Sequence, residues 1–555
     1  MGKLLFWSLI AKFLMITIIN RIKEIKVGKV KLFSFILFIG LFLFSFFLTE
    51  KFSQSFHFVD EEDHIVLAHF MNKGYKLYDD LSSNHQPLVY FFSSFTQKFF
   101  KPDNLFLLIK RTREAVFLYS FSWSLVLFFV FGPVFLLFSL FFELTKFFLF
   151  GNLLLMESLA VYPLLFILGQ TFRVVFYAFK PKKWQSLIFG LANFLVVFNL
   201  LPLIPSLIIL NLIYFIKTKE LKRALVGFIV PTFVLFLFIS PLDWFRETVF
   251  YNFKYVVPVL SSIKNKTDYF ILFLFPIISF FKSEVSVLSS FIKFFSILLI
   301  GCFIIYFFNN KGKKISQKKN YLFYFLILVS VLLLNNRVLT VGKMYYEGFH
   351  LLPWYGALIF FDLLMVELIF KKIKGIGKFL SVLILGVSGI CLLLNSNMPY
   401  RQKIDKNREH NINYYPYYLM GIASKAIASP GDRLAVFPHE SLIYWQSGLK
   451  PASRQIVYYD WSYGVPVIKK EMDQVFIKDP PEFLYYNFPQ VGPSRYSPLM
   501  EKAMAENYSQ VMRFQEEEGK MIKVEQNLYI KKEKVKEISQ NQWLEWEKLG
   551  FFRIK

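Results

Sequence analysis

The sequence predicts an α-helical polytopic membrane protein of about eleven transmembrane helices, followed by a small C-terminal extracytoplasmic α/β domain. Three observations carry this. The 555 residues are 55% hydrophobic and include 71 Phe, more apolar surface than one soluble core can hide. Apolar runs of spanning length recur along the first 396 residues. Lys and Arg gather in alternate short loops: Arg21 to Lys31, Lys180 to Lys183, Lys217 to Arg223, Lys311 to Lys319 and Lys371 to Lys378, whereas Gly151 to Glu157 and Asn199 to Pro205 carry none. That alternation is the positive-inside pattern and puts the basic loops in the cytoplasm.

The net charge of +25 would suggest nucleic acid in a soluble chain. Here its placement belongs to membrane orientation, and no nucleic-acid partner is expected. The two cysteines, Cys302 and Cys391, each sit in an apolar run, which excludes a disulfide framework and a CxxC metal site. The Phe, Lys, Ile and Asn bias reads as an AT-rich bacterial genome, so the sequons at Asn265 and Asn507 carry no weight.

Residues 1–31 read as a cytoplasmic or interfacial N-terminal segment. The apolar stretch 4–19 contains Lys12 and lacks a small-residue cleavage site. Residues 32–396 form the membrane domain, with spans near 32–49, 114–131, 133–150, 158–179, 185–200, 203–217, 223–240, 287–308, 320–335, 349–370 and 376–395. Eleven spans starting inside end outside. Two long outward segments interrupt them, 50–113 and 241–286, and loops of that length in compact proteins are usually functional. Residues 397–555 turn polar and read as an α/β domain. Strands are expected at Arg433 to Phe437 and Glu482 to Tyr486, with a hairpin of Met521 to Val524 and Leu528 to Ile530 around Gln526-Asn527.

The chemistry is concentrated in the first outward segment. Asp60-Glu61-Glu62-Asp63-His64 follows the first span directly, as the start of a helix. Acids held at a membrane edge are costly and are functional candidates by default. Asp60 and His64, four apart, share a helix face. A carboxylate there, flanked by others and partly desolvated, has the raised pKa of a general base. The same pattern also fits an N-cap with a solvated acidic first turn. His85-Gln86-Pro87 is either a turn in which Pro starts a helix, or a place where His85 faces the cavity of Asp60. The donors for a divalent cation, if one binds, are Asp60, Glu61 and His64, joined by His85; no HExxH-type spacing exists.

Asp60-Glu61, then Gly74-Tyr75-Lys76-Leu77-Tyr78-Asp79-Asp80, then His85-Gln86-Pro87-Leu88-Val89-Tyr90 resembles the first extracytoplasmic loop of GT-C glycosyltransferases, in the protein O-mannosyltransferase and aminoarabinose-transferase branch. The match covers about 56–95, with the span pattern and outward tail in keeping. The resemblance implies a GT-C-like membrane enzyme that moves a sugar from a polyprenyl-phosphate donor to a hydroxyl or amine acceptor on the outer face of the cell membrane, with inversion and with no required cofactor. It implies Asp60 as general base or acceptor-positioning group and Glu61 as the second acid.

Such a reaction needs cations at the departing phosphate. Arg111 and Arg113 stand on the outward side, either as phosphate contacts or as interfacial anchors. The late outward segment brings Arg337, Lys343 and His350, which the resemblance puts near the lipid phosphate. Glu157 starts a span on the same side. A transporter or lipid flippase is the rival reading, with the acids as a coupling site. Such sites usually lie at the bilayer midplane between repeated halves, and no repeat is visible here.

Overall fold

A computed structural model describes residues 29–260, 287–308, 315–335, 348–371, 386–459, 461–487, 492–517 and 520–554. The expectations for residues 1–28, for the apolar stretch 269–281 and for Arg337 and Lys343 fall outside them.

The membrane body is built from helices α1 (Lys29–Lys51), α2 (Val59–Asn72), α3 (Pro87–Phe100), α4 (Leu105–Phe131), α5 (Pro133–Thr145), α6 (Met156–Phe176), α7 (Lys183–Val197), α8 (Ile204–Thr218), α9 (Leu221–Phe236), α10 (Val287–Phe308), α11 (Ile315–Leu333) and α12 (Leu352–Phe370). Helices α6 and α12 are wrapped almost completely by the others. In contrast, α1 turns Phe33, Ile36, Leu43 and Phe47 outward. An apolar surface of that kind with all backbone groups bonded within the helix is what a lipid environment requires.

Among the described residues, six helices are long and apolar enough to cross a membrane: Leu32–Lys51, Leu105–Phe131, Met156–Phe176, Leu201–Thr218, Val287–Phe308 and Gly348–Phe370. A seventh results if Leu221–Phe236 is joined to Pro241–Val259, across a bend of 100°. The sequence count of eleven also included runs that fold as shorter pieces. The run 133–150 is a 13-residue helix ending in a 3-10 turn at Lys146–Leu149, and 185–200 is a 15-residue helix. At 1.5 Å per residue these are roughly 20 Å long, short of a hydrocarbon core of about 30 Å. The first half of the last predicted span, 376–385, lies outside the described residues.

The C-terminal part carries a five-stranded sheet in the order β2-β1-β3-β5-β4, where β1 is Arg433–Phe437, β2 Lys450–Pro451, β3 Phe483–Tyr486, β4 Tyr508–Glu517 and β5 Lys520–Lys531. Strand β1 runs parallel to β2 and β3, while β5 is antiparallel to both β3 and β4. The first two expected strands are present. The expected hairpin around Gln526-Asn527 is not, because 520–531 is one strand, paired with β4 on one side and β3 on the other. The register instead slips between Gln510 and Met512, opposite Gln526 and Asn527. The turn-prone pair is absorbed as a bulge, which leaves extra residues unpaired without reversing the chain.

Candidate functional site

Helix α2 starts at Val59 after Phe58, whose side chain gives no cap, and three acids occupy its first turn. Negative charge there complements the helix dipole. The acidic turn is not solvated, however. Glu61, Glu62, Asp63 and His64 are buried, and Asp60 alone of the four acids is partly exposed.

Each buried acid has its own partners. Glu61 meets Arg113 of α4 through two contacts, Nε to Oε1 at 3.2 Å and NH2 to Oε2 at 2.6 Å, and also accepts from the Leu154 N–H at 3.0 Å. Glu62 accepts from the Ser441 hydroxyl at 3.2 Å and the Leu442 N–H at 3.4 Å, and it touches the His57 ring. Asp63 takes the Tyr90 hydroxyl at 2.5 Å and His85 Nδ1 at 2.9 Å, both on its Oδ2. The Ser83 hydroxyl in turn lies 2.5 Å from that of Tyr90.

The expected helix start at Pro87 is present, with Gln86 as its cap. The preceding loop is shaped by Gly74 at φ +104° and by Tyr78, held at φ +71° where a bulky side chain is rarely found. Tyr78 donates its hydroxyl to the His85 carbonyl at 2.7 Å, which fixes the loop that carries His85. His64 donates Nδ1–H to the Leu154 carbonyl at 2.7 Å, and its ring lies 5.2 Å from that of His85.

The C-terminal part closes over this turn. Tyr459 brings its ring to 6.2 Å from His85, and the charges of Asp63 and Asp60 act on its hydroxyl. Ser441 and Leu442 follow His439 and Glu440, two consecutive residues at φ +56° and +58°. Backbone strain of that kind is maintained only where surrounding contacts fix it. Arg454 donates to the Tyr78 carbonyl at 2.9 Å and sits 3.4 Å from Glu247 of the second long segment. Asn252 and Trp244 of that segment bond Asn84 and Gln86. The two long segments and the C-terminal part therefore converge on the loop of His85.

Burial sets the protonation states. It holds His57 and His64 down to about 4, so both are neutral near pH 7. Burial raises Glu62 well above the carboxylate range, with help from the charge of Glu440, and lifts Glu440 itself to about 7. The Tyr459 hydroxyl is likewise pushed far up by burial and then by Asp63 and Asp60.

The predicted phosphate contacts are placed differently from the expectation. All five N–H groups of Arg113 are engaged: besides Glu61 it donates to the carbonyls of Phe52, Ser53, Ser55 and Phe56 and to the Tyr414 hydroxyl. It is an anchor of the chain crossing, with no donor left for a substrate. Arg111 pairs with Glu114 at 2.6 Å beside the Phe100 ring, away from the acids. Both lie inside α4, which starts eight and six residues before Arg113 and Arg111, at Leu105, rather than ahead of the span. His350 is bonded through Nδ1 to Glu157 at 2.7 Å.

Asp63, Tyr90, Tyr459, Glu440 and Arg454 were not singled out by sequence reasoning for these roles. Only the run of four acids signalled Asp63, and the three C-terminal residues carried no motif. A separate cavity of about 330 Å³, lined by Arg173, Tyr177, Glu367 and Lys371 among others, lies at the other ends of α4, α6 and α12 and has no part in this cluster. No family model, curated protein or solved structure matches this chain.

Proposed function

We propose that this chain is an integral-membrane glycosyltransferase that moves a sugar from a polyprenyl-phosphate donor to a hydroxyl or amine acceptor at the extracytoplasmic face. One observation carries the reading: of four consecutive acids, the three that follow Asp60 are buried against fixed partners, while Asp60 remains partly exposed at the head of α2. A carboxylate in that position takes the proton of the acceptor, or orients it, as the glycosidic bond to phosphate breaks. The loop motif resembling GT-C enzymes supplies the donor class and the inverting displacement.

In this reading Glu61 supports the site through Arg113 and does not touch substrate. His85, oriented by Asp63, borders the acceptor side. The cation for the departing phosphate comes from the late segment of Lys343 and His350, with Arg454 on the rim. In this reading an odd number of crossings with the N-terminus inside leaves the acids and the C-terminal domain outside, and the basic ends bearing Arg173 and Lys371 in the cytoplasm.

The test supplies purified protein with polyprenyl-phosphate sugars and compares wild type with Asp60→Asn. Transfer by wild type and a loss of roughly 10²–10⁴-fold in the variant is expected. Undiminished transfer by the variant removes Asp60 as the base.

One observation favours the transporter reading. Asp362 of α12 is fully buried in a spanning helix, and neither of its oxygens has a hydrogen-bond partner among the described residues. Intramembrane acids of this kind often couple ion movement. Substrate uptake into vesicles that is abolished by Asp362→Asn, with no sugar transfer by wild type, would select that reading.

A further inference from the structure

We propose that Asp63, His64 and His85 form a binding centre for one divalent transition-metal ion of the zinc class. The donor atoms of these three residues lie within 4.8 Å of one another, two of the residues being buried and the third nearly so. An ion bonding at about 2.0–2.2 Å fits between them after side-chain shifts of under about 1 Å.

The independent observation is the state of His64. Its side chain is fully buried, and its Nε2 has no hydrogen-bond partner among the described residues. A buried polar atom left bare in a well-packed region calls for a physical reason. The tautomer supplies one. Nδ1 faces the Leu154 carbonyl at 2.7 Å, and a carbonyl only accepts, so the proton resides on Nδ1. Nε2 then presents a lone pair with nothing to receive it. This is the arrangement in which metal-bound histidines are held, the second nitrogen donating to a carbonyl that fixes the ring.

The other two ligands are prepared in the same way. The Tyr90 hydroxyl orients the Asp63 carboxylate from 2.5 Å, and the Ser83 hydroxyl backs Tyr90. His85 is fixed through its own carbonyl by Tyr78. Its Nδ1 faces Asp63 Oδ2 at 2.9 Å. An entering cation takes the place of the proton between them: the neutral ring then carries its one N–H on Nε2 and ligates through Nδ1, since a ligating nitrogen must be free of its proton. Two imidazoles and a carboxylate suit zinc, and also manganese or iron(II), better than magnesium or calcium.

This set differs from the one the sequence suggested. Glu61 is engaged by Arg113, and Asp60 stands outside the three-residue group, so His64 and His85 are shared with the earlier set and Asp63 is new to it. The proposal concerns binding of the ion and does not depend on the transfer reaction.

The test is metal analysis of the full chain, purified in detergent with any affinity tag removed, stripped with EDTA, then incubated with zinc and desalted. About one zinc per chain is expected. X-ray absorption at the zinc edge should read nitrogen and oxygen ligands with two imidazoles and no sulfur. His64→Ala and, on the loop, His85→Ala should each lower the affinity at least about 100-fold. His69→Ala, at a partly buried histidine on the same helix outside the group, should leave it unchanged. Size-exclusion profiles keep the comparison to folded protein. Folded wild type that retains no zinc overturns the proposal, as does stoichiometric zinc that survives both the His64 and His85 substitutions.

Discussion

Arg113 and Glu61 form a two-pronged ion pair with both side chains almost wholly excluded from solvent, at 2.6 Å for NH2 to Oε2. The pair ties the head of α2 to α4, and the same guanidinium collects four carbonyls of the strap at 52–56. Attraction in a low-dielectric setting offsets the loss of hydration only when both partners are present.

Removing one partner therefore strands the other. Arg113→Ala or Glu61→Ala should cost about 3–5 kcal/mol and lower the melting temperature in detergent sharply. Arg113→Lys should rescue little of this, because an ammonium has three donors where the guanidinium uses five. A wild-type melting temperature in Arg113→Lys would refute the anchoring role.

Asp60 should behave in the opposite way. Asp60→Asn is expected to leave the melting temperature within about 0.5 kcal/mol of wild type, as for a partly exposed surface group, while activity falls. Asp63→Asn removes the charge that holds Tyr90 and His85 and should destabilise by about 1–3 kcal/mol. Thermal melts of the two variants side by side check the distinction.

Glu440 gives a pH signature. Its folded pKa, lifted to about 7 by burial, lies above the ordinary value of 4.5, so the folded state holds the proton more tightly. Its contribution is full below about 4.5, declines as pH rises toward 7, and is lost above that, by up to roughly 3 kcal/mol. His57, held down to about 4, runs the other way and destabilises as pH falls below 6.5. The wild-type curve mixes the two. The stability difference between wild type and Glu440→Gln isolates Glu440 and should fall steadily between pH 5 and 7; a flat difference would rule out a buried, proton-binding Glu440.

Helices α7 and α9 cross at two glycines. A Cβ on Gly190 would lie 1.9 Å from the Ala224 carbonyl oxygen, and one on Gly227 would lie 2.1 Å from that of Leu187. Small residues at such crossings let backbones approach closely. Gly190→Ala and Gly227→Ala should each force the helices apart and cost about 1–3 kcal/mol. Gly40→Ala, where nothing among the described residues lies within 4 Å, should be neutral by the same melting assay.

The helical membrane body was legible in the sequence because burial in lipid demands long apolar runs, and 32–49, 114–131, 158–179, 203–217, 287–308 and 349–370 all satisfy that demand. Strands β1 and β3 were legible as short apolar runs between polar turns. The count of spans was less so. Hydropathy cannot tell a 13-residue helix such as Pro133–Thr145, which ends in a 3-10 turn, from the start of a crossing. The bulge at Gln526 and Asn527 was read as a turn because a bulge and a turn favour similar residues, and pairing with β4 settles which one forms.

What the sequence determined by itself was that four acids and a histidine stand together at the head of a helix beside a span. What each acid does was decided by tertiary structure. In a helix of 3.6 residues per turn, each side chain points about 100° from the one before, so neighbours in sequence face different surroundings. Glu61 meets an arginine 52 residues on, Glu62 a serine 379 residues on, and Asp63 a histidine 22 residues on. Asp60 is left at the partly open edge. These partners lie on other elements, and only the packing of those elements against α2 brings them there.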